Sequence, residues 1–433
     1  MLPYGSNGRR VAVVAGVRTP FAKAGTTLKN LTAIELGKLA VAELIQRTEL
    51  DGDLVDGLVY GTVVPSVIAP NIAREVSLLP LLPKGVEAIT VSRACASANQ
   101  AITDAADQIV LGHHDVVIAG GAESLSNVPI LHSRTMSEKL VALSRAKSLG
   151  QRLGIMGSIR PKDFVPITPA IAEPSTGETM GQSAEKMAKI NHIAREDQDQ
   201  FALRSHRLAA VGLEDGRLTA ELEPVWVPPK FSDTLATDNG LRRDTSIEQL
   251  RALKPVFDRR YGSVTAGNAS PLTDGASAVL LMSEERAQTL GYKPLAFIRS
   301  YAYAALDPGE QLLMGPVLAA PTALERAGLA LADMDLVEMH EAFAAQVLCN
   351  LKGFESKDWA QRAGYAKPVG EVDRAKLNVM GGSIAIGHPF GATGGRILTT
   401  LCNELARRDG QFGLMTVCAA GGMGHAMVVE RAA

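Results

Sequence analysis

A faint internal repetition restricts this chain more than any other feature. The run Val11–Arg18 (VAVVAGVR) resembles Leu295–Ser300 (LAFIRS), Cys95 in SRACASANQAI takes the place of His388 in GHPFGATGGRIL, and Ile118–Ser124 (IAGGAES) resembles Cys418–Gly424 (CAAGGMG). The displacements of 284, 293 and 301 residues grow slowly and in one direction, as a duplicated domain with small insertions requires. The identities are sparse, so chance similarity between βα units competes with duplication. Short β-branched runs alternate with helical patterns, which predicts an α/β fold with mixed, mostly parallel sheets. Val11–Val17 is expected as a strand, and a helix to Arg47 is expected to open on the capping pair Thr32 and Glu35. A second strand is expected over Asp115–Ala119, ended by Gly120 and Gly121.

From Leu125 to Pro271 the pattern breaks into Pro-rich loops (Pro161, Pro166, Pro169, Pro174, Pro228, Pro229) and separate helices, which predicts an inserted subdomain. Its segment 128–162 carries Arg134, Lys139, Arg145, Lys147, Arg152, Arg160 and Lys162 against one acid, Glu138, interleaved with Leu140, Val141, Leu149, Leu153, Ile155, Met156 and Ile159. A basic amphipathic stretch suits a membrane surface, a partner protein or a phosphorylated ligand, and equally a solvated helix pair.

Composition narrows the classes. With 433 residues, 46% apolar and 21% charged, the chain has the core for two or three packed units and is not disordered. A formal charge of −2 removes the basic field of a nucleic-acid binder, so no nucleic-acid partner is expected. The four cysteines, at 95, 349, 402 and 418, show no CxxC spacing, which indicates neither a zinc clamp nor a disulfide framework and suits a reducing, cytoplasmic setting. Arg18 closes the apolar run after Arg9 and Arg10 too early for a signal peptide, and no run reaches the roughly 20 residues of a membrane span.

Three segments can carry chemistry. Cys95 precedes a helical pattern with Ala98, Ile102, Ala105, Ala106 and Ile109 on one side, and a helix N-terminus lowers a thiol's pKa. An inert core cysteine is the alternative. His388, followed by Pro389 in the glycine-rich stretch 381–395, suits a general base or a turn cap. Cys418, directly after a strand over Leu414–Val417, opens C-A-A-G-G-M-G-H-A, whose exposed amides suit an oxyanion. His340 and Glu341 begin H-E-A-F-A, but Ala344 stands where a zinc helix needs histidine, so no metal is expected. Two cysteines and two histidines without a metal pattern suggest acyl transfer through a thiolate.

These segments together resemble the thiolase family over the whole chain. The matches are the Cys95 segment, H-E-A-F-A at 340–344 in place of the usual N-E-A-F-A, G-H-P-x-G-x-T-G at 387–394 and C-x-x-G-G-x-G-x-A at 418–426. V-T-A-G-N-A-S at Val264–Ser270 and M-G-x-S-A-E at Met180–Glu185 extend them. The resemblance implies two duplicated α-β-α-β-α core halves, 1–124 plus 272–294 and 295–433, with a loop domain at 125–271. It implies Cys95 as the nucleophile toward a 3-ketoacyl-CoA, His388 as its base, and Cys418 as the acid/base at the acetyl carbon. His340 and His388 would hold the enolate oxygen, and the amides of Cys95 and Ala420 the tetrahedral oxyanion.

For coenzyme A, a substrate here, the resemblance points to Ser270, Met180 and an arginine at Arg259 or Arg260. No other cofactor is implied. His340 for Asn, Ala420 for Gly and Pro271 for a common Gly depart from the family pattern. The first two, with G-H-P-F-G, are similar to β-subunits of trifunctional fatty-acid oxidation complexes. That implies medium or long acyl chains, a homodimer or dimer of dimers, a hydratase/dehydrogenase α-subunit, and peripheral membrane contact through 128–162. A biosynthetic acetoacetyl-CoA thiolase, a carrier-dependent ketoacyl synthase and a non-catalytic lipid-binding scaffold are the alternatives. A ketoacyl synthase has no need of Cys418, and a scaffold has no need of either thiol.

Overall fold

The computed structural model describes residues 8–167 and 172–432; Pro169 lies outside them. The first half contains β1 (Val11–Arg18), β2 (Ala22–Lys23), α1 (Ala33–Arg47), β3 (Gly57–Gly61), α2 (Ile72–Ser77), β4 (Glu87–Val91), α3 (Ser97–Leu111) and β5 (Val116–Glu123). Helix α1 starts where the capping pair predicts, since the Thr32 hydroxyl accepts from the Glu35 amide and the Glu35 carboxylate accepts from the Thr32 amide. The intervening segment forms α4 (Arg134–Arg145), α5 (Leu149–Ser158), α6 (Met180–Ile190), α7 (Arg195–Glu214), the short pair β6 (Val225–Trp226) and β7 (Thr234–Leu235), and α8 (Ile247–Arg251). The chain returns through β8 (Thr273–Ser283) and α9 (Glu284–Thr289). Then follow β9 (Ala296–Ala305), α10 (Gly315–Ala327), β10 (Leu336–Met339), α11 (Ala344–Phe354), α12 (Lys357–Arg362), α13 (Ser383–Ile386), α14 (Thr393–Arg407), β11 (Phe412–Ala419) and β12 (Met423–Arg431).

The strand order β10-β11-β12-β9-β1-β8-β5-β3-β4 displays the duplication. In each half a parallel core, β4-β3-β5 or β10-β11, is extended by antiparallel strands, and the halves join where β1 meets β9 through Ala12–Phe297 and Val13–Ala296. Among the described residues the second half has a single parallel bridge, Val337–Leu377, where the first has β4. Helices α3 and α14 start at Ser97 and Thr393, and β5 and β11 at Val116 and Phe412, so both pairs are displaced by 296 residues. The third sequence match is therefore out of register by five. Gly120 and Gly121 lie inside β5 instead of ending it, whereas Gly421 and Gly422 form the turn after β11. Similar glycine pairs serve close packing in one half and chain reversal in the other.

Three layers of helix follow from which faces are apolar. Helices α1 and α2 bury Leu36, Leu44, Ile72 and Val76 on the first half. Helices α3 and α14 share a central core through Ile102, Ile109, Leu398 and Leu401. On the far side, α10 and α11 pack with Met187, Phe201 and Leu203 of α6 and α7. The intervening segment thus shares the second half's core there. Arg18, at the end of β1, is fully buried and pairs bidentately with Asp238 at 2.6 and 2.9 Å, fastening the segment to the first half as well.

The seam between halves is closed by glycine. A β-carbon on Gly121 would run into the carbonyls of Gly391 and Gly61. These carbonyls belong to backbone and cannot swing aside, so Gly121→Ala is expected to cost roughly 1–3 kcal/mol, the range for overpacked cores. A lowered urea unfolding midpoint checks this.

Candidate active site

Cys95 sits in the tight turn between β4 and α3. Ala94 takes a left-handed φ of 44°, which costs an L-residue energy and is held because Ser97 donates its hydroxyl to the Ala94 carbonyl (2.7 Å) and accepts from the Arg93 amide (2.8 Å). The half-buried Cys95 sulfur accepts hydrogen bonds from its own amide and that of Ala420. Burial nonetheless pushes the thiol up to about 12, against those amides, with Glu123 adding a small further rise. The lowered pKa expected from the helix N-terminus is therefore not found, because desolvation outweighs the amides.

His388 follows α13 and faces this thiol. Its Nδ1 lies 2.6 Å from the Thr393 hydroxyl, which donates to the Pro389 carbonyl at 3.0 Å. With its proton committed there, Thr393 accepts from Nδ1–H, and Nε2 is left with a lone pair. Among the described residues no group bonds that Nε2. Burial, then the charge of Arg396, pulls His388 down to about 3, so the resting pair is a thiol and a neutral imidazole.

His340 hangs from the C-terminal end of β10 and Cys418 lies near that of β11, the adjacent parallel strand, where open α/β sheets place their chemistry. Cys418 is the penultimate strand residue rather than the start of a turn. The two imidazole rings are 4.1 Å apart between centroids. His340 Nδ1 is 3.1 Å from the Ser383 hydroxyl, which accepts from Arg396 (2.9 Å). Donation by Ser383 to Nδ1 puts the hydrogen of His340 on Nε2, facing the site. Burial, with His388 and Arg396 adding to it, holds His340 well below the usual histidine range. Burial also raises Cys418 far above an ordinary thiol, and Cys95 beside it adds to the rise. The sulfur of Cys95 and one nitrogen each of His340 and His388 lie within 4.8 Å of one another.

Ala420 is not among the positive-φ residues; Gly421 (83°) and Gly422 (67°) take that load, so a β-carbon at 420 is accommodated. Pro271 gives up only an amide hydrogen. Its carbonyl accepts from Thr273 (2.7 Å), whose hydroxyl accepts from the His388 amide (3.0 Å). Ser270 donates its amide to the Ala342 carbonyl (2.9 Å), beside His340. Met180 opens α6 and, like Phe257 and Phe343, packs half-buried against the core that α6 and α7 share with the second half. Arg259 and Arg260 are exposed on the turn after Phe257, and no described contact joins either to the cysteines or imidazoles. Thr393, Ser383, Thr273 and Glu123 also support the site, although no motif in the sequence assigns them a role in it. The hydroxyl five residues after His388 was the one available signal.

The basic segment forms the paired helices α4 and α5. Lys139 is bound to Asp163 at 2.6 Å, an acid one residue beyond the stretch counted in the sequence, so the charge excess is smaller than seven to one. Val141, Leu149, Leu153 and Met156 remain exposed. Among the described residues, no helix is long and apolar enough to cross a membrane.

Two buried imidazoles and two thiols at strand ends, on a duplicated sheet, define a thiol acyltransferase architecture. The thiolase N-terminal domain family matches residues 11–285 and its C-terminal domain family residues 292–431; the chain belongs to the thiolase family. It is 52% identical over 424 residues to a 3-ketoacyl-CoA thiolase of Pectobacterium atrosepticum, covering 98% of this chain and 97% of that one. With the 3-ketoacyl-CoA thiolase of Colwellia psychrerythraea it shares 51% over 426 residues, 98% of each. The structure of human mitochondrial 3-ketoacyl-CoA thiolase in complex with CoA superposes with a TM-score of 0.83 at 32% identity over all of both chains. That of the Bacillus anthracis acetyl-CoA acetyltransferase gives 0.84 at 33% identity, over 98% of this chain and 99% of that one.

The neutral thiol–imidazole pair has a kinetic signature. Between about pH 6 and pH 9 its proton count is constant, so alkylation of Cys95 by iodoacetamide is expected to be flat with pH. In His388→Ala only free thiolate reacts, and the rate is expected to rise about tenfold per pH unit. A wild-type rate with that same slope contradicts the pairing.

Proposed function

We propose that the chain is a 3-ketoacyl-CoA thiolase that cleaves 3-ketoacyl-CoA with CoA to acetyl-CoA and an acyl-CoA two carbons shorter. The observation that carries this is the convergence of Cys95 with His388 on one side and Cys418 on the other. In this mechanism His388 Nε2 takes the Cys95 proton as the sulfur attacks the keto carbon. The amides of Cys95 and Ala420, which meet the sulfur at rest, receive the tetrahedral oxyanion. The carbon–carbon bond breaks, leaving the acyl group on Cys95 and an acetyl-CoA enolate. Its oxygen is held by His340 Nε2–H and by protonated His388, and Cys418 protonates its carbon. Protonated His388 then returns its proton to the Cys418 thiolate, which restores both groups, and CoA thiol attacks the thioester with the neutral His388 again as base; the expelled Cys95 thiolate takes that proton back from His388. Ser270 and Met180 line the approach of CoA, and Arg259 or Arg260 receives its nucleotide end.

The two thiols do different work, which separates them experimentally. Cys95→Ala is expected to abolish thiolysis, with no acyl adduct in the intact-mass spectrum. Cys418→Ser is expected to keep acylation of Cys95 from an acyl-CoA while exchange of the acetyl-CoA α-protons with deuterium falls by about 10²–10⁴-fold. Persistent exchange refutes the acid/base role.

Medium or long 3-ketoacyl chains are the substrates in this proposal, and a homodimer or dimer of dimers is the working state. Strand β4 supports pairing, as a sheet edge with Ile89 exposed. The helices α4 and α5 are assigned contact with a membrane or a hydratase/dehydrogenase α-subunit, on the strength of exposed Leu149, Leu153 and Met156 among Arg145, Lys147 and Arg152. Replacing those three cations by Gln is expected to weaken binding to anionic vesicles by on the order of 100-fold, at about 1 kcal/mol per cation, or to weaken binding to the α-subunit, with short-chain thiolysis unchanged. Co-sedimentation and turnover measure the two effects.

A further inference from the structure

Beyond acyl transfer, the same cluster has the composition of a metal site. Cys95, His340 and His388 come from three segments far apart in sequence, and their ligand atoms lie within 4.8 Å of one another. Both imidazole Nδ1 atoms are occupied, by Ser383 and Thr393, and both Nε2 atoms are buried with no partner among the described residues. A zinc site of the open kind uses three such ligands and leaves a fourth position for water or an incoming thiolate, with Zn–N of about 2.0–2.1 Å and Zn–S of about 2.3 Å. The imidazole at 340 completes the set, because the asparagine usual at this place in the family offers no comparable ligand. Arg396 near the rings opposes a cation, and Glu338 (3.9 Å away) and Glu341 offset it.

We propose that Cys95, His340 and His388 bind one thiophilic divalent cation of the zinc class, which occupies the place of the acyl group and reversibly shuts the enzyme. On binding, the Cys95 thiol releases its proton to solvent and forms the S–metal bond. The His340 proton moves from Nε2 to Nδ1, where Ser383 accepts it, and no electron is transferred. The inhibition rests on the acyl-transfer function; the binding does not.

Co²⁺ alone, titrated into the metal-free full-length protein, is the probe. One equivalent is expected to produce a thiolate-to-cobalt charge-transfer band, to be displaced by Zn²⁺ and to vanish on chelation. Cys95→Ser is expected to lack the band, and His340→Asn to bind at least about tenfold more weakly. Zn²⁺ is also expected to slow iodoacetamide modification of Cys95 in the wild-type chain at least tenfold, a readout that needs no variant to fold. Absence of the band together with unchanged alkylation overturns the proposal, as does a band that persists in Cys95→Ser. A cobalt-bound chain with undiminished thiolysis refutes the role of Cys95 as nucleophile instead.

Discussion

One buried carboxylate holds together the two halves on which the site depends. Glu123, at the end of β5, accepts from the amides of Val63 (2.9 Å) and Val64 (3.0 Å) after β3, from the Thr62 hydroxyl (3.3 Å), and from the Gly391 amide (3.0 Å) three residues past His388. Burial raises it to about 7 even against these four donors. It fits there because Gly61, Gly121 and Gly391 let three backbones meet without β-carbons. Cys95 belongs to one half and His388 to the other, so their facing geometry is a property of this seam.

Burial sets the chemistry of the site in a second way. A thiolate–imidazolium pair would separate charge in a largely buried site, and desolvation penalises both partners. Cys95 is driven up and His388 down until the neutral pair is the resting state. The nucleophile is therefore made during attack, when the developing negative charge has the Ala420 and Cys95 amides to receive it. The helix N-terminus before α3 matters as a source of geometry more than as a source of acidity.

Hydroxyl groups then decide what each imidazole does. Thr393 has spent its hydrogen on Pro389, so His388 is a lone-pair acceptor toward the thiol. Ser383 receives from Arg396 and has its hydrogen to give, so His340 faces the site as a donor. Two histidines with their ring centroids 4.1 Å apart thus divide the work of base and oxyanion donor through partners on their far sides. Those partners also leave both near-side nitrogens open, which is what gives the cluster its second potential use as a cation site.

Local sequence was sufficient for the parts governed by local rules. The capping pair at Thr32 and Glu35 set the start of α1, the apolar spacing from Ala98 to Ile109 set α3, and the segments around Cys95, His340, His388 and Cys418 carried enough identity to name the family. Registers and partners were not legible. The glycines at 120 and 121 read as a strand end, yet they continue β5, because whether a glycine reverses the chain or admits a neighbour depends on what packs against it. The thiol's acidity is not legible in the sequence for the same reason, since helix polarity is local and burial is not. What the chain determined by itself was its elements and its reactive residue types. Only the tertiary structure decided which strand ends converge, which imidazole accepts and which donates, and where water is excluded, because each of these depends on groups hundreds of residues apart in the chain.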